Sequence, residues 1–173
     1  MPNIEIKARY QILSRAREIA VKLNAKTLGI DLQIDTYFKT QGGRLKLRES
    51  SLNGARLIPY VRANQIGPKL SQYLLVPIEQ PDILKSLLKE ILGIEVIVNK
   101  EREVYLIDNV RVHLDVVENL GNFIEFEAVF DDVSKETYKA EIKKVNKLID
   151  DFEIKETDLI KGSYRELRQL FNC

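Results

Sequence analysis

A chain of 173 residues with 45% hydrophobic and 31% charged residues can bury a core, is unlike a disordered type, and has the length of one domain. With 27 basic against 26 acidic residues the net charge is +1, so no overall field draws the chain to nucleic acid and any basic site must be local. The single cysteine, Cys173, excludes an intrachain disulfide framework, and no apolar run approaches the ~18 residues of a membrane span.

Alternation predicts a first strand over residues 3–9, where Ile4, Ile6 and Ala8 separate Glu5, Lys7 and Arg9. A helix follows over 14–23, with Ser14 as its N-cap and Ala16, Ile19, Ala20 and Leu23 at helical spacing. Strands over 30–39 and 44–49 flank the turn Gln41-Gly42-Gly43 and form a hairpin. A strand over 56–62 contains Pro59, which cannot donate to a ladder and marks an edge or a bulge. Alternation returns over 69–77. Pro81-Asp82 then opens a helix striped with Ile83, Leu84, Leu87, Leu88, Ile91 and Leu92 and stopped by Gly93. Three more strands, 96–106, 110–117 and 122–130, precede a helix from the cap Ser134 to Asp151 and a short one holding Tyr164, Leu167, Leu170 and Phe171. The expected class is α+β, with about eight mainly antiparallel strands.

Charged residues recur two apart on these strands. Glu5, Lys7 and Arg9 are followed by Arg44, Lys46 and Arg48, by Lys100 and Arg102, by Arg111, His113 and Asp115, and by Glu125 and Glu127. Side chains two apart share a strand face. The faces either show their charges to water, as one-sided antiparallel sheets do, or turn them inward around a polar lumen. A solvent face mixes signs for solubility, yet two of these runs are purely basic. Like charges side by side repel unless an anion compensates. The striped helices also need apolar sheet surface to cover. If the faces converge, they make a site for a polyanion held with a metal cation.

The segment Asn3-Ile4-Glu5-Ile6-Lys7 resembles the Glu-x-Glu-x-Lys signature of the CYTH domain, the triphosphate tunnel metalloenzymes. Thr36-Tyr37-Phe38, Gly43 to Glu49, Lys69 to Tyr73, Lys100-Glu101-Arg102, Arg111 to Asp115, Leu120-Gly121, Glu125-Phe126-Glu127 and Ser163-Tyr164 follow in the family's order. The resemblance covers essentially the whole chain, residues 1–173, as a single CYTH domain, and its wording is most similar to the class IV adenylyl cyclase-like branch. It implies an eight-stranded antiparallel β-barrel with a charged lumen, helices packed outside, and a triphosphate bound between basic side chains and a divalent metal.

Carried across by motif, Glu5, Asp115, Glu125 and Glu127 are the metal carboxylates, and Glu5, Lys7, Glu125 and Glu127 the catalytic group. Lys7, Lys46, Arg48, Arg62, Lys69, Lys100, Arg102 and Arg111 line the phosphate path. Carboxylate oxygens without a histidine or cysteine cluster select a hard cation, Mg²⁺ or Mn²⁺. Arginine offers phosphate a planar fork and lysine a compact charge. Two reactions use these groups: cyclisation of ATP to 3′,5′-cyclic AMP, or hydrolysis of tripolyphosphate, thiamine triphosphate or a nucleoside triphosphate. A non-catalytic polyphosphate- or nucleotide-binding module is the third reading, kept by Asn3 standing where the signature has its first glutamate. His113, the only histidine, is read as structural ahead of a proton-transfer role, and Tyr37, Tyr73 and Tyr164 as packing residues. A cytoplasmic protein, without nucleic-acid or membrane partners, is expected from the absence of a signal-peptide core and a membrane span. The resemblance adds a homodimer.

Overall fold

The computed structural model describes residues 2–131 and 134–171, so Cys173 lies outside the described residues. Nine antiparallel strands run among them: β1 (Pro2–Arg9), β2 (Lys26–Phe38), β3 (Arg44–Ser50), β4 (Gly54–Arg62), β5 (Lys69–Tyr73), β6 (Val76–Ile78), β7 (Ile94–Ile107), β8 (Val110–Val117) and β9 (Gly121–Val129). The helices are α1 (Leu13–Lys22), α2 (Pro81–Leu92), α3 (Lys135–Asp151) and α4 (Tyr164–Phe171). Strand order is β3-β2-β7-β8-β9-β1-β5-β4-β6, and a β3–β4 ladder joins the ends of the first eight into a closed barrel. The ninth strand, β6, adds to β4 outside the ring. The expected barrel is therefore present, with one short strand more.

Closure follows from alternation. Ile4, Ile6 and Ala8 of β1, Val110, Val112 and Leu114 of β8, and Ile124, Phe126 and Ala128 of β9 share the outer face and are fully buried or nearly so. They are covered by Ala16 and Ala20 of α1, by Val145 and Leu148 of α3, and by Phe152. This apolar layer lies outside the barrel, so the charged alternate residues point in. A smaller apolar cluster of Tyr37, Val96, Val98, Val117, Leu120, Phe123 and Tyr164 forms where α4 meets β7.

Several local expectations are corrected. Ser14 is not a cap: α1 begins at Leu13, and Ile12 stands at the N-cap without a side-chain bond. Ser134 does cap α3, accepting from the Thr137 N–H at 3.2 Å. The strand expected over 69–77 is two strands, β5 and β6, because β4 changes partner along its length. Residues 60–62 pair with β5 and residues 55–57 with β6. Pro59 falls at that changeover, and its carbonyl accepts from Leu74 on the β5–β6 side. Its missing N–H faces the same gap, where no ladder bond is lost.

The strand expected from residue 30 begins at Lys26 and passes a register shift at Gly29, whose φ of 109° suits glycine. Gly93 ends α2 with φ 78°. That helix does not bury its stripe: Leu84, Leu88 and Leu92 are half-buried, whereas Ile83, Leu87 and Ile91 are exposed. Among the described residues no helix is long and apolar enough to cross a membrane.

Candidate active site

The barrel encloses a cavity of about 540 Å³ lined by alternate residues of its eight strands. Charges fill it. Lys7, Lys100 and Arg102 are 5% exposed or less, so the outward-facing reading of these strands is excluded. A cation this deep persists only with compensation, and the lumen supplies it in three groups.

The first group is centred on Asp35. Its carboxylate accepts from Lys46 Nζ at 3.0 Å, Lys100 Nζ at 2.8 Å, and Arg48 Nε and Nη2 at 2.7 and 2.8 Å. Burial alone would raise the Asp35 carboxyl, but Arg48, Lys100 and Lys46 hold it well below the usual carboxylate range. One anion among three cations leaves surplus positive charge, and the lysines carry the strain. Burial, with Arg48 beside it, lowers Lys46 to about 8. Lys100 is also held well below its usual value, by burial against the help of Asp35 and with Arg48 opposing its charge.

The second group spans β1, β8 and β9. Glu5 faces Glu127 directly across the β1–β9 ladder, and Lys7 faces Glu125. Lys7 bonds Glu125, Arg62 bonds Glu5, and the Asn3 amide bonds Glu127. Arg111, half-exposed at the rim, reaches Glu127 at 3.3 Å. Arg62 Nε and Nη2 and Asn3 Oδ1 are buried without a protein partner. Burial would raise Glu125, yet Lys7 and Arg102 hold it well below the carboxylate range.

The third group sits where β7, β8 and β9 meet the start of α4. Arg102 grips Asp115 with Nε at 2.7 Å and Nη2 at 2.6 Å, and reaches Glu125 at 3.0 Å. Tyr164 donates to Asp115 Oδ2 at 2.6 Å, and its ring lies 3.9 Å beneath the Lys7 ammonium. Both Asp115 oxygens are thus taken and its side chain is fully buried. Burial raises this carboxyl, Arg102 outweighs it, and the group rests at about 2. Ser163 and Glu166 tie down the start of α4, Ser163 N donating to Glu166 at 2.6 Å, and Glu166 also accepts from Arg44 at 3.0 Å.

Not every expected residue faces the cavity. Lys69 is fully buried, but its ammonium turns to the carbonyls of Gln65, Ile160 and Lys161 at 3.4, 3.1 and 3.4 Å. Burial, with Arg62 and Lys7 nearby, brings it down to about 7. His113 lines the cavity with Nδ1 unpartnered, and burial and Arg102 keep it neutral. Tyr37 and Tyr164 pack as expected, Tyr164 edge-on to Phe123 at 5.0 Å between centroids. The sequence reading missed Asp31, Gln33 and Asp35, which alternate on β2 as regularly as the basic runs do on β3. A search for runs of one sign passes over an acid–amide–acid row.

Among the described residues no three carboxylate, histidine or cysteine side chains gather at metal-holding distance. Glu5, Glu127 and the free Asn3 Oδ1 nonetheless put oxygen donors on one wall. Magnesium commonly takes one or two carboxylates and completes its shell with water and substrate phosphate. The donors fit that pattern.

The CYTH domain model matches residues 1–164 of this chain. "Putative adenylate cyclase MJ0240" of Methanocaldococcus jannaschii is 26% identical over 180 residues, covering 98% of this chain and all of that protein. The PH1012 protein of Pyrococcus horikoshii superposes with a TM-score of 0.81 at 23% identity, covering 95% of this chain and 98% of its own. HpAC1 of Hippeastrum, described as having a dominant triphosphatase activity, superposes at 0.56 with 16% identity, over 93% and 91% of the two chains.

Proposed function

The chain belongs to the CYTH domain family, and from that premise we propose that it is a metal-dependent enzyme acting on a triphosphate, by cyclisation of ATP. One observation carries the reading: within a closed barrel, Lys46, Arg48 and Lys100 share the single carboxylate of Asp35. A surplus of buried cations is costly to the empty fold and is relieved by a polyanion.

In the proposed reaction the ribose 3′-oxygen of ATP bonds to the α-phosphorus and passes its proton to solvent water. The bond from that phosphorus to the bridging oxygen breaks, and pyrophosphate leaves. Lys46, Arg48 and Lys100 hold the phosphate chain, and the free Nε and Nη2 of Arg62 take a further oxygen. Lys7 and Arg102, both fixed against Glu125, bring positive charge to where negative charge builds on the leaving oxygens. Glu5, Glu125, Glu127 and Asn3 Oδ1 are the groups for Mg²⁺ or Mn²⁺. An ion held there would polarise the phosphorus and neutralise the leaving group. Asn3 adds an oxygen without charge, so the site is weaker for a second cation than one with glutamate there. Asp115 is assigned to positioning, since Arg102 and Tyr164 occupy both its oxygens.

Hydrolysis of the terminal phosphate is the second reading, favoured by the activity described for HpAC1. The test is a product assay with ATP, tripolyphosphate and thiamine triphosphate, each with Mg²⁺ or Mn²⁺. Cyclic AMP with pyrophosphate is the expected result. Orthophosphate alone supports hydrolysis, and binding without product reduces the barrel to a binding module.

A further inference from the structure

Gln33 lies on the lumen face of β2, two residues from Asp35 and two from Asp31, with Ser50 of β3 and Lys100 of β7 as register partners. Its Nε2 donates to Asp31 Oδ2 at 2.6 Å. Asp31 is held in place from the other side by Ser50 Oγ at 2.8 Å, Ser51 Oγ at 3.2 Å and the Leu52 N–H at 3.2 Å. An ionised carboxylate only accepts, so the amide nitrogen must face Asp31 and the amide oxygen must face away. That Oε1 is buried and receives no hydrogen bond from the protein, and Gln33 is among the residues that line the cavity.

An acceptor suits a phosphate chain badly. Two oxygens carrying negative charge repel, and a buried acceptor left unpaired keeps its desolvation penalty. The partner that fits is an O–H or N–H donor. Gln33 is two residues, roughly 7 Å of strand, from the cationic cluster at Asp35. Further along β2 the lining turns apolar. Leu28 and Leu52 are exposed at the mouth, Gly29 pairs with Val104, and a Cβ built on Gly29 would meet Leu52 Cδ1 at 3.6 Å. The order along this wall is cations, the Gln33 acceptor, the Asp31 carboxylate that Gln33, Ser50, Ser51 and the Leu52 N–H already hold, then an aliphatic collar.

We propose that Gln33 selects triphosphates carrying an organic group: its Oε1 accepts from a hydroxyl or amine of that group, which rests on the collar of Leu28, Leu52 and Val104. The inference rests on the reading of the lumen as a triphosphate site. Inorganic tripolyphosphate, fully ionised, has no donor to offer. An orphaned acceptor is worth roughly a tenfold to hundredfold change in affinity.

Calorimetric titration with ATP and with tripolyphosphate, each with Mg²⁺ at pH 8.5, well above the ~6 of a phosphoryl group's second ionisation, tests it. In Gln33→Met the ratio of the two dissociation constants is expected to shift at least about tenfold against ATP, with tripolyphosphate held as before. A second variant, Leu52→Ser, touches neither Asp31 nor the cations through its side chain and lies at an exposed turn. It should weaken ATP about fivefold and leave tripolyphosphate unchanged. An unaltered ratio in Gln33→Met, or equal losses for both ligands, overturns the proposal while the triphosphate reading stands. If the unsubstituted protein binds neither ligand, the triphosphate reading falls and takes this one with it.

Discussion

Replacing Asp35 by asparagine removes the one carboxylate that Lys46, Arg48 and Lys100 share at 2.7–3.0 Å, on a side chain 1% exposed. Asparagine keeps the shape and one acceptor oxygen. Its NH₂ group, however, turns a donor toward cations, and the negative charge is gone. Stripping the partner from a buried ion pair costs about 3–5 kcal/mol, chiefly because the remaining charges stay buried and uncompensated. In a chain of this length each kcal/mol lowers the melting temperature by about 2–4 °C, so the empty variant should melt roughly 6–20 °C below the unsubstituted protein.

The same change leaves the phosphate-binding cations more in need of an anion. Saturating tripolyphosphate with Mg²⁺ binds only the folded state and returns charge to the cluster, so it should close more than half of that gap. Differential scanning calorimetry with and without the ligand measures both quantities. The reasoning is refuted if Asp35→Asn melts within about 2 °C of the unsubstituted protein, or if its deficit is as large with tripolyphosphate as without. Either result would mean that Asp35 is not the resident counter-ion of a phosphate-binding cluster.

Other consequences can be checked with the same protein. Glu125→Gln and Lys7→Ala break the ion pair that orients Lys7, and each should lower turnover at least about 100-fold in a product-release assay; full activity in either would unseat the assigned catalytic group. Lys46, lowered to about 8 by burial and Arg48, should regain its proton when an anion binds beside it. Affinity for tripolyphosphate then falls as pH rises through 8, and binding at pH 8.5 takes up protons, which calorimetry in two buffers of unlike ionisation enthalpy detects. The empty protein behaves oppositely: the unfolded lysine keeps its proton to about 10.4, so this group's contribution to stability grows as pH climbs above 8. Tyr164→Phe loses the 2.6 Å bond to Asp115 and should cost about 1–3 kcal/mol, read as a lower melting temperature with Arg102 still clasping Asp115.

The period-two rows were legible in the chain, and with them the grouping of side chains by face. Glu5 with Lys7, Lys46 with Arg48, Lys100 with Arg102 and Glu125 with Glu127 could be paired from spacing alone, because a strand offers only two faces. Helix limits were less legible: Ile12, which forms no side-chain bond, took the N-cap position expected of Ser14. The break between β5 and β6 depends on which strand β4 has as its neighbour, and spacing holds no record of that.

Which face is inside was decided by tertiary structure. The β3–β4 ladder closes the ring, and α1 and α3 bury Ile4, Ile6, Phe126 and their neighbours on its outer wall, leaving the ionic rows only the lumen. Tertiary structure also divided residues that the motifs treat alike. Asp115 shares a strand face with Arg111 and His113, yet Arg102 and Tyr164 saturate it; Lys69 stands in the expected row, yet backbone carbonyls from residues 65, 160 and 161 hold its ammonium. Alternation assigns a side chain to a face. Hydrogen-bond partners far apart in the chain decide whether its charge is spent on the fold or left for a ligand.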